Sequence, residues 1–200
     1  MNESKWVIGQ LAFQDRMPPL SADKMTDAQR KAAAEMIAGP RKGVKGPFIP
    51  LLRSPELMDR LQKVGEYLRF QSSLGQRISE FVMLIVSREW TQHFEWFVHV
   101  PLGRKAGISE DTIGSLAEGR RPSDMSEYEE VAYDFCEELL RTKGVSETTY
   151  RRAVMKFGEN GVIDMIGVAG YFTTVSMVMN VAHSPPSDDK SVCAMSPYPL

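Results

Sequence analysis

Hydrophobic positions recur at helical spacing along most of the chain, and no segment sustains an alternation of apolar and polar residues. That pattern predicts an all-α protein. Thr26 and Asp27 offer N-cap side chains ahead of "AQRKAAAEMIA", which Gly39 and Pro40 stop. The following "RKGVKGPFIPLL" is punctuated by Gly and Pro, so it reads as an extended loop. Such a loop either straps the N-terminal arm to the core or offers Phe48 and Ile49 as pocket walls. Ser54 and Pro55 open a helix over "ELMDRLQKVGEYLRF", and "SSLG" breaks it. In "QRISEFVMLIVSREW", Ile78, Phe81, Val82 and Ile85 make an apolar face. The stretch "REWTQHFEWFVHV" leads into the next helix, which is expected to run until Pro101 and Gly107 disrupt it.

Capping signals organise the rest. Ser109 precedes "EDTIGSLAEG", Ser126 and Glu129 form a capping box for "SEYEEVAYDFCEELLRTKG", and Ser146 precedes "ETTYRRAVMKFGENG". An apolar helix over 162–183 closes the core. Residues 165–182 are about one bilayer long, but they carry Gly, Ser, Thr and Asn and lack flanking basic anchors. A buried helix is expected there, without a membrane. The organisation expected is an arm over 1–50 with one helix and a Gly/Pro loop, a helical domain over 51–184, and an irregular Pro-rich tail over 185–200. Glu80 precedes His99 by nineteen residues, as Asp164 precedes His183, which raises the possibility of a duplicated helical hairpin.

Composition narrows the function classes. A net charge of −2 argues against nucleic-acid binding, which needs a basic surface. Cys136 and Cys193 form no CxxC spacing, and no leader segment is visible, so a cytoplasmic location is expected. Gln92, Glu95 and His99 stand at i, i+3 and i+7 and share a helix face. A carboxylate four residues from an imidazole can fix its tautomer and raise its basicity. Glu80, near the start of the preceding helix, returns to the same place if the two helices are antiparallel. The plain alternatives are a solvated Glu–His pair and a core helix rich in aromatics. A zinc site drawn from His93, Glu95, His99 and His183 is the weakest reading, because His93 and His99 point to different faces and no HExxH occurs.

The run "ISEFVMLIVSREWTQHFEWFVHVPLGRKAGIS" resembles the signature of the carboxymuconolactone decarboxylase superfamily, which includes the alkyl hydroperoxidase D proteins. In the peroxidase branch the motif is Glu, eleven residues, Cys-x-x-Cys, three residues, His. Glu80, Gln92, Glu95 and His99 stand at those four positions, over a resemblance that is strongest at 54–120 and extends to 183. Without cysteines at 92 and 95 the peroxidatic pair has no counterpart. The remaining Glu95-x-x-x-His99 is similar to the decarboxylase branch. The resemblance implies an alkyl hydroperoxidase D-like helical bundle, assembly as a homotrimer or homohexamer, and a cofactor-independent, metal-free lyase or isomerase. Its substrate would be a small carboxylated lactone or carbonyl compound. On this reading His99 is the general acid/base, Glu95 orients it and Glu80 is a second proton-transfer group. Gln92, Trp96 and Phe48 are expected to contact substrate, with Arg69, Arg77 and Arg88 as candidate anion binders. A hydroperoxidase-like oxidoreductase and a non-catalytic helical scaffold are the competing readings.

Overall fold

Side-chain caps set most of the helix starts, and the computed structural model describes residues 15–185 and 191–196. Among these residues every regular element is helical. Helix α1 (Asp27–Ala38) begins with a capping box between Thr26 and Gln29. The segment expected to be wholly extended contains a single helical turn, α2 (Phe48–Leu51), and its Phe48, Pro50 and Leu51 are buried. Burial of those side chains tightens the chain into a turn that its Gly and Pro content alone does not suggest. Helix α3 (Pro55–Phe70) has Pro at its first position, and the described Ser54 side chain makes no cap bond. Together α1, α2 and the first turn of α3 enclose a small cluster that includes Met36, Phe48, Leu52 and Met58.

The centre of the molecule is α4 (Gly75–Glu89), buried without a gap from Ile78 to Arg88. A helix covered on every side must be apolar or internally paired all round. The sequence periodicity marks only one of its faces, yet Ser79, Glu80 and Ser87 are also enclosed. The chain reverses at Trp90–Gln92, with Thr91 in the left-handed region at φ 46, and α5 (His93–Lys105) returns along α4. Pro101 does not end α5, which continues to Lys105. Pro101 is exposed, so the carbonyl left without its N–H partner can turn towards water.

Three further helices complete the fold: α6 (Glu110–Ala117), α7 (Glu127–Thr142) and α8 (Glu147–Ala182). Ser109, Ser126 and Ser146 cap them as their positions predict. Helix α8 breaks at Gly158 (φ 68, ψ 171) and packs against α3, α4 and α7. It is the one described helix long and apolar enough to cross a membrane, and just over half of its apolar window is buried in the fold. The internal echo does not build a second hairpin. Asp164 and His183 belong to one helix and its cap, about 28 Å apart at 1.5 Å per residue. Asp164 instead accepts bonds from Tyr67 and from the backbone and side chain of Ser73.

Residues 191–196 have no regular structure but are docked, with Val192 and Met195 buried and Ser196 N–H donating to Ala117. The remainder of the expected tail, 186–190 and 197–200, and the first 14 residues of the arm lie outside the described residues.

Candidate active site

Antiparallel packing of α4 and α5 places Glu80 against His99. The His99 Nδ1 lies 2.7 Å from Glu80 Oε2, and its Nε2 lies 3.2 Å from Glu95 Oε2. All three side chains are buried. The second oxygen of Glu80 accepts from Gln76 Nε2 at 2.7 Å, which fixes the carboxylate. The Phe172 ring meets the imidazole edge-on, 5.0 Å between centroids. His99 is thus held from two directions by carboxylates and on its face by an aromatic ring.

A neutral imidazole has a single N–H and can donate to only one of two flanking carboxylates. The arrangement therefore favours an additional proton on the triad. Burial by itself lowers the His99 pKa, but the bonds and charges of Glu80 and Glu95 outweigh it and hold the value above the ordinary 6.5. The ring nitrogens face separate carboxylates, an arrangement for sharing a proton. Among the described residues no group of three or more His, Cys, Asp or Glu side chains is disposed to hold a metal ion.

The triad opens on a cavity of about 320 Å³. Glu95 and His99 form its polar end, while Phe48, Phe70, Phe94, Phe172 and Val175 supply apolar walls. Arg41, Lys45, Arg69 and Tyr171 add a basic, hydroxyl-bearing side. Glu80 is not on this wall and reaches the cavity only through His99. Phe48 lines the cavity, brought in by the α2 turn.

Two expected substrate contacts are placed elsewhere. Gln92 caps α5, accepting from Phe94 N–H at 2.7 Å and donating to Asn180 at 2.7 Å. Its side chain is occupied at the helix start, one turn before the cavity. Trp96 is fully buried on another face of α5 and donates its indole N–H to the Cys193 carbonyl at 2.8 Å. One residue beyond Glu95 rotates the side chain by about 100°, which takes it out of the cavity. Of the three candidate arginines only Arg69 reaches the site. Arg77 makes a two-pronged pair with Glu129 at 3.0 Å, and Arg88 donates to the Ser196 carbonyl.

The sequence reading did not single out Arg41 or Tyr171. Arg41 lies in the Gly/Pro segment that also holds Phe48, and Tyr171 is the sole tyrosine of the apolar part of α8. A lone phenol in an otherwise apolar helix was the available signal. Neither cysteine approaches the triad. Burial pushes the Cys136 thiol up to about 12, and Cys193 is exposed on the docked tail.

No protein-family model matches the sequence, and no curated protein matches it significantly. Solved structures do match the fold. One, from Ralstonia eutropha JMP134, is described as an alkylhydroperoxidase AhpD core and an uncharacterized peroxidase-related protein. It is 14% identical and superposes with a TM-score of 0.70, covering 87% of this chain and 93% of its own. An uncharacterized peroxidase-related protein from Silicibacter sp. TM1040 is 16% identical, with a TM-score of 0.70 over 90% of this chain and 97% of its own. The helices are therefore arranged in the all-helical fold of the alkyl hydroperoxidase D core.

Proposed function

We propose that the protein is a cofactor-independent lyase or isomerase, of carboxymuconolactone decarboxylase-like type, acting on a small carboxylated or carbonyl compound by proton transfer. The observation that carries this reading is the buried Glu80–His99–Glu95 triad opening on a mostly apolar cavity. The geometry favours exchanging the expected roles of the two carboxylates. Glu80, enclosed and held by Gln76, orients the imidazole through Nδ1. Glu95, on the cavity wall beside Nε2, is the carboxylate that meets the substrate.

In a decarboxylation the carbon–carboxylate bond breaks, CO2 departs, and its electron pair is delocalised into the adjacent carbonyl or double bond. The proton shared by His99 and Glu95 is then delivered to that carbon, and water restores it to the triad. The same pair run as base and then acid shifts a double bond without loss of CO2. Apolar walls assist both reactions, because they disfavour the charged carboxylate relative to a dispersed anion.

The peroxidase-related description of the structural neighbours would call for reactive thiols at 92 and 95, where this chain has Gln and Glu. Assembly as a trimer or hexamer is part of the proposal. It is supported by an exposed apolar stripe on α8 formed by Ile163, Ile166, Met177 and Val181, which share one helix face. Light scattering at micromolar concentration reads that assembly directly, and a monomer would remove it. The function is tested by screening unsaturated lactones and β-keto acids for CO2 release or double-bond migration. Turnover that disappears in His99→Ala supports the reading, and peroxide consumption lost in Cys136→Ser or Cys193→Ser would overturn it.

A further inference from the structure

The basic side of the cavity contains two guanidinium groups whose donors are incompletely paired. Arg41 Nε and Nη2 and Arg69 Nε are buried with no hydrogen-bond partner, and neither guanidinium makes a salt bridge among the described residues. Leaving such donors unpaired is costly, typically about 1–3 kcal/mol each and more on a charged group. Folded proteins seldom carry that cost without a reason. The two arginines also repel each other across the cavity. Burial first, and then the charge of Arg69, hold the Arg41 pKa below its usual value, although Glu66, Glu95 and Tyr171 act the other way. An anion seated between the guanidinium groups would relieve both the missing bonds and the repulsion.

The surroundings fix where that anion sits. The Arg41 guanidinium stacks 4.6 Å from the Phe48 ring centroid, which sets the plane of its fork. Across from it, a Cβ on Gly65 would stand 2.3 Å from the Tyr171 hydroxyl and 2.8 Å from Arg41 Nη2. The phenol and the guanidinium therefore pack side by side against Gly65, in the space a side chain there would take. Gly46 performs a related task for the segment that carries Arg41. At φ 55 it passes so near Phe94 that a Cβ would lie 2.3 Å from the ring, seating the segment over the cavity. The cation, the hydroxyl and the aromatic walls belong to one enclosure that Glu95 and His99 also line.

We propose that Arg41 and Arg69, assisted by the Tyr171 hydroxyl, form a carboxylate-binding end of the cavity, and that the segment 39–48 thereby determines substrate specificity. The ligand class is a flat, apolar acid whose carboxylate lies between the arginines and whose body spans the phenylalanines. The inference rests on reading this cavity as a substrate site. The anchored carboxylate is a group the reaction leaves in place, because two cations beside it would restrain its conversion to neutral CO2. His99 and Glu95 then act on a carbon at the far end of the molecule.

Benzoate is a suitable probe, with benzamide as its uncharged counterpart, titrated calorimetrically into the whole chain without any turnover. Expected is one benzoate per chain, with benzamide at least about tenfold weaker, as charge-assisted bonds require. Arg41→Gln and Arg69→Gln should each weaken benzoate about tenfold or more, and Tyr171→Phe a few-fold. Arg60→Gln, which removes an exposed cation from the same helix as Arg69, should leave binding unchanged. Thermal unfolding accompanies each variant. If Arg41→Gln fails to fold, Arg69→Gln and the benzamide comparison decide. Equal binding of benzoate and benzamide, or full affinity in folded Arg41→Gln and Arg69→Gln proteins, would overturn the inference. Benzoate binding that depends on the arginines, with neither CO2 release nor double-bond migration from any acid, would remove the proposed reaction and leave this site standing.

Discussion

The two ends of the cavity are built in contrasting ways. The acid–base end comes from the α4–α5 hairpin, inside the most deeply buried part of the fold, where both ring nitrogens of His99 face a carboxylate and Glu80 is held by Gln76 as well. The basic end comes from an irregular segment, the last turn of α3 and one residue of α8, and several of its donors have none. A satisfied network fixes one geometry and holds a proton in place. An unsatisfied one is a standing demand for a ligand. On the proposed reading, chemistry belongs to the first end and recognition to the second.

Removing His99 should give the largest effect. His99→Ala leaves Glu80 and Glu95 with no imidazole between them, and turnover of whichever acid the screen identifies should fall by about three to four orders of magnitude. Benzoate titration reads the other end of the cavity in the same protein. If turnover survives while binding is lost, the division of labour is reversed.

Legibility followed the same division. Helix starts at Thr26, Ser109, Ser126 and Ser146 were readable because a capping side chain acts on residues two or three positions away. The triad was readable for a related reason: Glu95 and His99 are neighbours within one helix, and a short reversal brings Glu80 back to them. Gln92 was misplaced by its motif position, since the first residue of a helix is claimed by backbone N–H groups that need a cap. Trp96 shows the limit of aromatic content as a guide, because its neighbours in the pocket differ from it by only one or two residues. Arg41 was hidden because its position depends on contacts with Gly65, Phe48 and Tyr171, all distant in sequence or outside any helical period. The duplicated hairpin failed for want of a turn: no break separates 164 from 183, so matched spacing in sequence became separation in space.

Trp96 and Phe94 sharpen the comparison from the side of stability. Trp96→Ala should cost about 3–5 kcal/mol, the usual scale for emptying a buried aromatic site, and a calorimetric melt would show it. Trp96→Phe should lower the melting temperature without changing the benzoate affinity. A specific loss of affinity in that variant would return Trp96 to the ligand site.

Gly46→Ala should act on the recognition end alone. Alanine at φ 55 is strained, and its methyl collides with Phe94, so the segment must lift. The expected cost is about 1–3 kcal/mol, divided between stability and the seating of Arg41. Affinity for benzoate should fall several-fold while kcat on an identified substrate stays near its original value. A fall in kcat with unchanged affinity would tie this segment to proton transfer instead.

The pH response of His99 is the finest test of how the acid–base end is held. Its pKa is raised in the folded protein, where burial is outweighed by Glu80 and Glu95, so folding favours the protonated ring. The stability it contributes is therefore fully present below the ordinary value of 6.5 and is lost as pH rises through the higher folded value. If protonated His99 is the acid, kcat/KM should decline over that same upper range. Glu80→Gln removes one of the two anions that raise the pKa while retaining an acceptor beside Nδ1. Both the decline in kcat/KM and the loss of stability should then move to lower pH, and NMR titration of the His99 ring should move with them. Glu95→Gln should shift the ring titration in the same direction but also reduce turnover at every pH, because Glu95 stands on the cavity wall and Glu80 does not. A ring titration unmoved by Glu80→Gln would mean that Glu95 alone holds the proton, and the orienting role of Glu80 would fall.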